Sequence, residues 1–341
     1  MEASKLNLNT VNTNVLYDLP NLTPDFAQAI VDWRSTNSSG AYSLDYAPLG
    51  YLEKEAPFET VDELRLVYGA TMDLLTGDDL NLNGVLDANE KSLSGNGQVN
   101  PGLLEYVTVY TREPNFHSDG TSLTNVNQAT TAQLRTLFES AGVANADSLA
   151  DAIYNFTHPQ LPGGRAGTFS GILDFCLFCR VRGMSSDDFA RIADNVTTST
   201  SAYIRGRVNV NTADAPVLTA LLMGVGLAQG PASSTAQSLI TYRQQNPGRL
   251  NSVAWLIDAL GNTSNAISSL AGGDYVTTRS FQFTADIAAV GPFGRGYRRV
   301  EFVFDTSDGT PKIIYRQDLS RLGWALGEKA RETLLANNSA Q

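Results

Sequence analysis

Side chains that carry oxygen recur at short, regular spacing in residues 79–90. Position 6 of this segment is Gly84 and position 7 is Val85, and the side chains at positions 1, 3, 5, 9 and 12 are Asp79, Asn81, Asn83, Asp87 and Glu90. Calcium prefers oxygen ligands, and a twelve-residue loop supplies them from these five positions and from the carbonyl at position 7. The segment therefore predicts a calcium site made of the five side chains and the Val85 carbonyl.

The loop contains three carboxylates, and its two asparagines add ligand oxygens without adding charge. A calcium sensor couples two such loops through paired helices, whereas this sequence has one clear loop. We therefore expect a structural ion rather than a switch. Residues 96–100 could supply half of a second site, although they contain no carboxylate. The alternative is a surface turn rich in Asn, Asp and Gly that binds no metal.

Other candidates for chemistry have weaker patterns. Cys176 and Cys179 have the spacing of a redox motif, but bulky apolar residues separate them, so we predict buried core thiols, with an oxidised pair as the alternative. His117 and His158 are expected to be surface or capping residues. The sequence contains no recognisable catalytic constellation, so we predict no catalytic residue, no cofactor other than Ca²⁺, and no enzymatic activity.

Composition excludes several classes of protein. The chain has 341 residues, and its 24 Lys and Arg against 35 Asp and Glu give a formal net charge of −11. This acidic balance argues against a surface that binds nucleic acid, because such binding depends on clustered Lys and Arg, and two cysteines exclude a disulfide framework. The small cluster of Arg295, Arg298 and Arg299 predicts the solvated face of a strand, with an interface role left open. The longest nearly apolar run, residues 215–228, is shorter than the roughly 18–20 residues of a membrane helix.

A repeat unit occurs three times along the chain. Each copy opens with asparagine, an apolar residue and asparagine, in residues 6–10, 125–128 and 208–212. The alternation predicts a short strand, and the polar residue at its end predicts the N-cap of a helix. A second helix follows, and apolar residues spaced by three before a glycine, as in residues 58–69, predict a third, amphipathic helix. The alternative is coincidence among common helical patterns.

The C-terminal part has a different pattern. Residues 280–287, 297–304 and 312–316 alternate between apolar and polar side chains, and glycine-containing turns separate them. This alternation with tight turns predicts an antiparallel meander. A final helix is predicted over residues 321–336, and residues 106–111 predict an isolated strand within the helical region.

The order of these motifs resembles two known families. The repeat is similar to the helix-hairpin-helix unit of competence-type DNA receptors. Over nearly its whole length the chain resembles the K-type minor pseudopilins of bacterial type II secretion (general secretion pathway protein K). The motifs that carry the second resemblance are Leu6–Thr10, Pro57–Arg65, the acidic loop Asp79–Glu90, Leu104–Thr111, Val208–Ala213 and the closing strands.

The second resemblance implies an α+β fold: a pseudopilin-like antiparallel sheet with a large inserted helical domain built from helix-hairpin-helix-like repeats. It also implies bound Ca²⁺ and a place at the pseudopilus tip, with the I- and J-type minor pseudopilins and exported substrate proteins as partners. The soluble part would lie in the periplasm, anchored in the inner membrane by an N-terminal helix. The sequence departs from the family by lacking that helix and its prepilin signal, and we expect that it begins just after them.

The function expected from the resemblance is non-enzymatic: the protein would cap the pseudopilus tip and help to initiate its assembly for protein export. The alternative is a DNA-binding protein of the competence type. The first repeat has Asn21-Leu22-Thr23 where that family has phosphate-binding glycines, so no nucleic acid partner is expected. A calcium-dependent hydrolase, the third hypothesis, would need an acid–base pair in a cleft.

The same order of motifs predicts five segments. The N-terminal strand and first repeat occupy residues 1–76, and the calcium loop with a connecting strand occupies 77–116. The second repeat is assigned to 117–206 and the third to 207–272. The meander and C-terminal helix of the pseudopilin domain would then occupy 273–341.

Overall fold

The chain forms two compact units with mixed helix and sheet. The computed structural model describes residues 1–36, 46–87, 90–92, 95, 97–158, 165–291, 296–325, 332–333 and 336. Unit 1 contains Met1–Thr111 and Phe281–Gln341, and unit 2 contains Arg112–Ser280. Helices and small sheets are both present, which confirms the predicted α+β class.

Among the described residues, eight of the eleven α-helices lie in unit 2, whereas the largest sheet lies in unit 1. The α-helices are α1 (Thr13–Leu16), α2 (Pro24–Arg34), α3 (Met72–Thr76), α4 (Thr131–Ser140), α5 (Ala146–Thr157), α6 (Ile172–Arg180), α7 (Ser186–Ile192), α8 (Ala215–Gly224), α9 (Gln229–Gln245), α10 (Ala254–Leu260) and α11 (Asn265–Ala271). The strands are β1 (Leu6–Asn7), β2 (Val107–Thr108), β3 (Arg112–Pro114), β4 (Thr124–Asn125), β5 (Val196–Thr197), β6 (Tyr203–Arg205), β7 (Val208–Asn209), β8 (Val276–Thr277), β9 (Gln282–Val290), β10 (Tyr297–Asp305) and β11 (Lys312–Asp318).

Three short parallel strand pairs share one local structure. β1 pairs with β2, β4 with β5, and β7 with β8, and the second strand of each pair is a Val-Thr dipeptide. In each first strand, an asparagine side chain accepts the backbone N–H two residues later, at 2.8 to 3.0 Å. β2 therefore has a partner, so the prediction that residues 106–111 form an isolated strand is wrong.

The second asparagine of each Asn-x-Asn segment contacts a later segment of the same repeat. Asn9 Nδ2 donates to Phe58 O at 2.9 Å, and Asn9 Oδ1 accepts the Phe58 N–H at 2.7 Å. Asn127 makes the same two contacts with Phe169, at 3.1 and 2.8 Å. Asn211 Nδ2 donates to Leu250 O at 2.9 Å. These hydrogen bonds therefore join the first segment of each repeat to the segment that ends the same repeat.

The N-caps of the following helices lie farther along the chain than predicted. They are Asn12 for α1, Thr130 for α4 and Asp214 for α8. Thr130 forms a capping box with Gln133. In the first repeat, the amphipathic helix predicted within residues 58–69 is a short 3-10 helix, Val61–Leu66. It ends there because Val67 adopts an extended conformation.

Strands β9, β10 and β11 form the antiparallel meander that the alternation predicts. β10 lies in the centre, where Val300 pairs with Ile287 of β9 and with Asp318 of β11. Alternation places Arg299, Glu301 and Val303 on one face of β10. The turn predicted over residues 291–294 lies outside the described residues except for Gly291, and half of the helix predicted over residues 321–336 also lies outside them. Its first residues form a 3-10 turn, Ser320–Leu322.

Candidate metal loop

The metal loop, residues 79–90, begins directly after α3 in unit 1. Gly77 ends α3 with φ 60°, and a Cβ at this position would lie 2.2 Å from Asn100 O, so only glycine fits. The next residue closes the base of the loop, because Asp78 N donates to Asn100 O at 2.9 Å and Asn100 N donates to Asp78 Oδ2 at 3.1 Å. The loop therefore leaves from a fixed base, with Ala88 and Asn89 outside the described residues.

Carboxylates at the two ends of the loop accept hydrogen bonds from its backbone. Asp79 accepts the N–H groups of Asn83, at 3.0 Å, and Gly84, at 2.7 Å. Glu90 accepts the N–H groups of Leu80 and Asp87, each at 2.9 Å. Gly84 has φ 76°, the left-handed conformation that the predicted turn at position 6 requires. Both terminal ligand positions therefore face the interior of the loop.

The middle ligand positions meet at Asp87. Asn81 Nδ2 donates to Asp87 Oδ2 at 2.7 Å, and Asn83 Nδ2 donates to the same oxygen at 3.0 Å. Asn81 Oδ1 is buried without a hydrogen-bond partner, which is costly unless a donor or a cation satisfies it. The structure thus brings all five predicted side chains into one hydrogen-bonded loop, and nothing in it fixes the Val85 carbonyl as a ligand.

The donor set fits a hard cation in its chemistry. It has three carboxylates, two amide oxygens and one unsatisfied buried acceptor, which are the ligand types that calcium takes. Within the described residues, no group of three or more His, Cys, Asp or Glu side chains is arranged as a metal site. Because two of the five side chains here are asparagines, a calcium site in this loop would rely on amide oxygens as well as carboxylates.

Arg299 of β10 contacts this loop from the meander. Its side chain is 0% exposed. Nη1 donates to Asn81 O at 2.6 Å, Nη2 donates to Leu82 O at 2.7 Å, and Nε donates to Asp286 Oδ2 at 2.8 Å. The prediction that this arginine lies on a solvated face is therefore wrong, although it is correct for Arg298, whose side chain is 65% exposed. The alternation of β10 could have separated the two neighbours, since they point to opposite faces.

Unit 2 holds a second arginine that is nearly buried, with its side chain 10% exposed, and its hydrogen bonds go to carboxylates. Arg207 donates from Nε and Nη2 to Asp274, at 2.9 and 2.6 Å, and from Nη1 to Glu113 Oε2 at 3.2 Å. Burial acts to lower the pKa of Arg207, but the charges of Glu113 and Asp274 outweigh it and raise that pKa. Burial raises the pKa of Glu113 despite the arginine beside it. Sequence reasoning missed this cluster because its members are far apart in the chain.

The cysteine pair of α6 lies in the core of unit 2. Cys176 and Cys179 are both free and 0% exposed, which confirms the prediction of buried core thiols. Burial raises the pKa of each thiol, so the reactive thiolate is disfavoured. His158 stacks on Tyr154 with ring centroids 4.4 Å apart, at the end of α5. None of these residues contributes to the metal loop.

Comparisons with known proteins give no relative for this chain. No family model matches it, and the searches of curated proteins and of solved structures found no match either. Among the described residues, no helix is both long enough and apolar enough to cross a membrane. The metal loop and the two arginines are therefore the structural features from which its function must be argued.

Proposed function

We propose that the chain is the periplasmic part of a K-type minor pseudopilin, a non-enzymatic protein that caps the tip of the type II secretion pseudopilus. In this role it would help to initiate assembly with the I- and J-type minor pseudopilins. The observation that carries the proposal is the chain order. Unit 1 contains both the metal loop and the antiparallel meander, and unit 2 is inserted between the two segments that build unit 1. This order supports a pseudopilin-like sheet with an inserted helical domain.

The three strand pairs support the proposed helix-hairpin-helix-like repeats. Each begins with Asn-x-Asn, and each closes on a Val-Thr strand after one or more helices. The proposed repeats serve packing rather than DNA binding, because a net charge of −11 opposes approach to a phosphate backbone. A gel shift at low salt, where electrostatic attraction is strongest, tests this part. Sub-micromolar DNA binding there would favour the competence-type function.

Calcium is part of the proposal. Asp79, Asn81, Asn83, Asp87 and Glu90 would hold the ion, together with the Val85 carbonyl. When bound, the cation would neutralise the three carboxylates of the loop and satisfy the unpartnered Asn81 Oδ1. Elemental analysis of protein purified in millimolar calcium, followed by gel filtration, should find one bound ion per chain. Metal-free protein would contradict this assignment.

The partner assignment is tested by co-purification with soluble I- and J-type pseudopilins. We expect a complex with both partners together, through an interface of roughly 1,200–2,000 Å² in total. The protein alone should sediment as a monomer, since its many acidic side chains disfavour self-association. A stable homo-oligomer that binds neither partner would contradict the tip assignment while leaving the calcium site unaffected.

A further inference from the structure

Arg299 joins the metal loop to the meander inside unit 1. Its guanidinium is fully buried, and its donors are used on two loop carbonyls and one carboxylate of the neighbouring strand. We infer that Arg299 is a positioning residue that couples calcium binding in the loop to the stability of β9 and β10. This inference rests on the proposed calcium site and adds a consequence of it.

The two carbonyls belong to the part of the loop that sets the ligand geometry. Asn81 and Leu82 are positions 3 and 4 of the loop, and the Asn81 side chain is a proposed ligand. A guanidinium only donates hydrogen bonds, and Arg299 donates to both carbonyls. The two carbonyl oxygens are therefore directed toward the sheet. The Asn81 side chain is left to point at Asp87 inside the loop. Arg299 thus orients a ligand without touching the metal.

The backbone of Leu82 gives independent support. Leu82 has φ 56°, a left-handed conformation that is unfavourable for a leucine and persists only where surrounding contacts hold it. The bond from Arg299 Nη2 to Leu82 O, at 2.7 Å, is such a contact. The planar guanidinium of Arg299 has five N–H donors, so it can donate to two carbonyls and a carboxylate at once. A lysine at this position would serve fewer of them.

Coupling of this kind acts in both directions. If calcium fixes the loop from inside and Arg299 fixes it from the sheet, ion binding must stabilise the sheet, and an intact sheet must raise calcium affinity. Residues that orient metal ligands without touching the ion typically account for a 10- to 100-fold change in metal affinity. We therefore expect Arg299→Lys to weaken calcium binding by roughly 10- to 100-fold.

Calorimetric titration with CaCl₂ and amide hydrogen exchange, each on the whole chain, test the inference. In the wild type, calcium should slow exchange in the loop and also in residues 282–290 and 297–305. In Arg299→Lys at saturating calcium, the loop should still be protected, but exchange in the two strands should no longer respond to calcium. Arg298→Gln is the matched control, because Arg298 is a solvent-exposed neighbour that pairs with Asp318 at 3.0 Å. It should behave as the wild type.

A second variant covers the case in which Arg299→Lys does not fold. Asp286→Asn keeps both bonds to the loop carbonyls and an amide oxygen that can accept from Arg299, but it removes the counter-charge and should lower the free energy of unfolding. Calcium affinity should nevertheless stay within about threefold, and the strands should still respond to calcium. Loss of the strand response in Asp286→Asn would overturn the assignment to the carbonyl contacts. Wild-type affinity and strand response in Arg299→Lys would overturn the coupling while the calcium site stands. If wild-type protein binds no calcium, the proposed site fails and the coupling fails with it.

Discussion

Arg299, which is fully buried, and Arg207, which is nearly buried, show two different ways of stabilising a unit. In unit 2, Arg207 is bound by the carboxylates of Glu113 and Asp274, so its charge is compensated by groups of the folded unit alone. In unit 1, Arg299 has one carboxylate partner, Asp286, and it also donates hydrogen bonds to two backbone carbonyls of the metal loop. The first arrangement is complete without an ion, whereas the second depends on a loop that calcium is proposed to fix.

The difference predicts how each unit responds to calcium. Removing one member of a buried ion pair leaves an uncompensated charge, a large cost that no ion at the metal loop can offset. Changing a loop ligand removes only the part of the stability that comes from ion binding, which follows mass action. Stability measured with calcium and with a chelator therefore separates the two kinds of contact.

The largest effect is expected from Arg207→Met. This change leaves Glu113 and Asp274 close together without their cation, so unfolding free energy should fall by about 3–5 kcal/mol. The loss should be the same in calcium and in chelator, and urea unfolding under both conditions measures it. Arg205→Met is the control, since Arg205 is exposed and should change stability by less than about 0.5 kcal/mol. A loss of stability that differs between calcium and chelator would show that the Arg207 cluster also depends on the ion, and it would contradict this prediction.

Glu90→Gln should give the next largest effect, and only when calcium is present. At a calcium concentration about 100 times the dissociation constant, binding stabilises the fold by about 2.7 kcal/mol, and the variant should lose most of this. In chelator a smaller loss should remain, because the amide oxygen can accept only one of the two backbone N–H groups that the two carboxylate oxygens accept. Glu105→Gln changes an exposed carboxylate outside the loop and serves as the control in thermal unfolding. Equal losses under both conditions would argue against the metal.

The second asparagine of each Asn-x-Asn segment can be tested in both units, with Asn9 in unit 1 and Asn211 in unit 2. Asn211→Ala would leave the indole N–H of Trp255, which is 1% exposed, without its bond to Asn211 Oδ1 at 2.9 Å. An unsatisfied buried group costs about 1–3 kcal/mol, and we expect a loss in that range, independent of calcium. Asn9→Ala in unit 1 should cost a similar amount. Gln237→Ala, at an exposed site of α9, is the control in urea unfolding.

Local patterns made part of this structure predictable. The meander follows from alternation in residues 280–316. Spacing alone also identified five side chains that the structure brings into one hydrogen-bonded loop. Partners distant in sequence were not predictable, because no short-range pattern specifies them. β1 pairs with β2 about a hundred residues later, Asn9 bonds to Phe58, and Arg299 reaches a loop more than two hundred residues earlier. The same distance hid the Arg207 cluster, whose carboxylates lie on either side of it in the chain.

The smallest expected effect is the contribution of Glu113, in unit 2, to the pH dependence of stability. Burial raises the pKa of Glu113 above the ordinary glutamate value of 4.5, so the folded protein holds this proton more tightly than the unfolded chain does. Stability should therefore fall as pH rises from about 4.5 through the folded pKa, with a slope of at most about 1.4 kcal/mol per pH unit. Glu113→Gln cannot titrate and should remove this slope. Urea unfolding from pH 4.5 upward, in chelator to exclude effects of calcium, measures it.

The sign of the slope also tests how the Arg207 cluster is charged. If Arg207 dominated over burial, the pKa of Glu113 would lie below its usual value, and stability would instead be lost as pH falls. The wild type would then lose stability on the acid side, and Glu113→Gln would abolish that loss. Glu139→Gln, at an exposed position of α4, is the control and should keep the wild-type slope. A wild-type slope unchanged by Glu113→Gln would mean that Glu113 keeps one charge state throughout this range and would contradict the prediction.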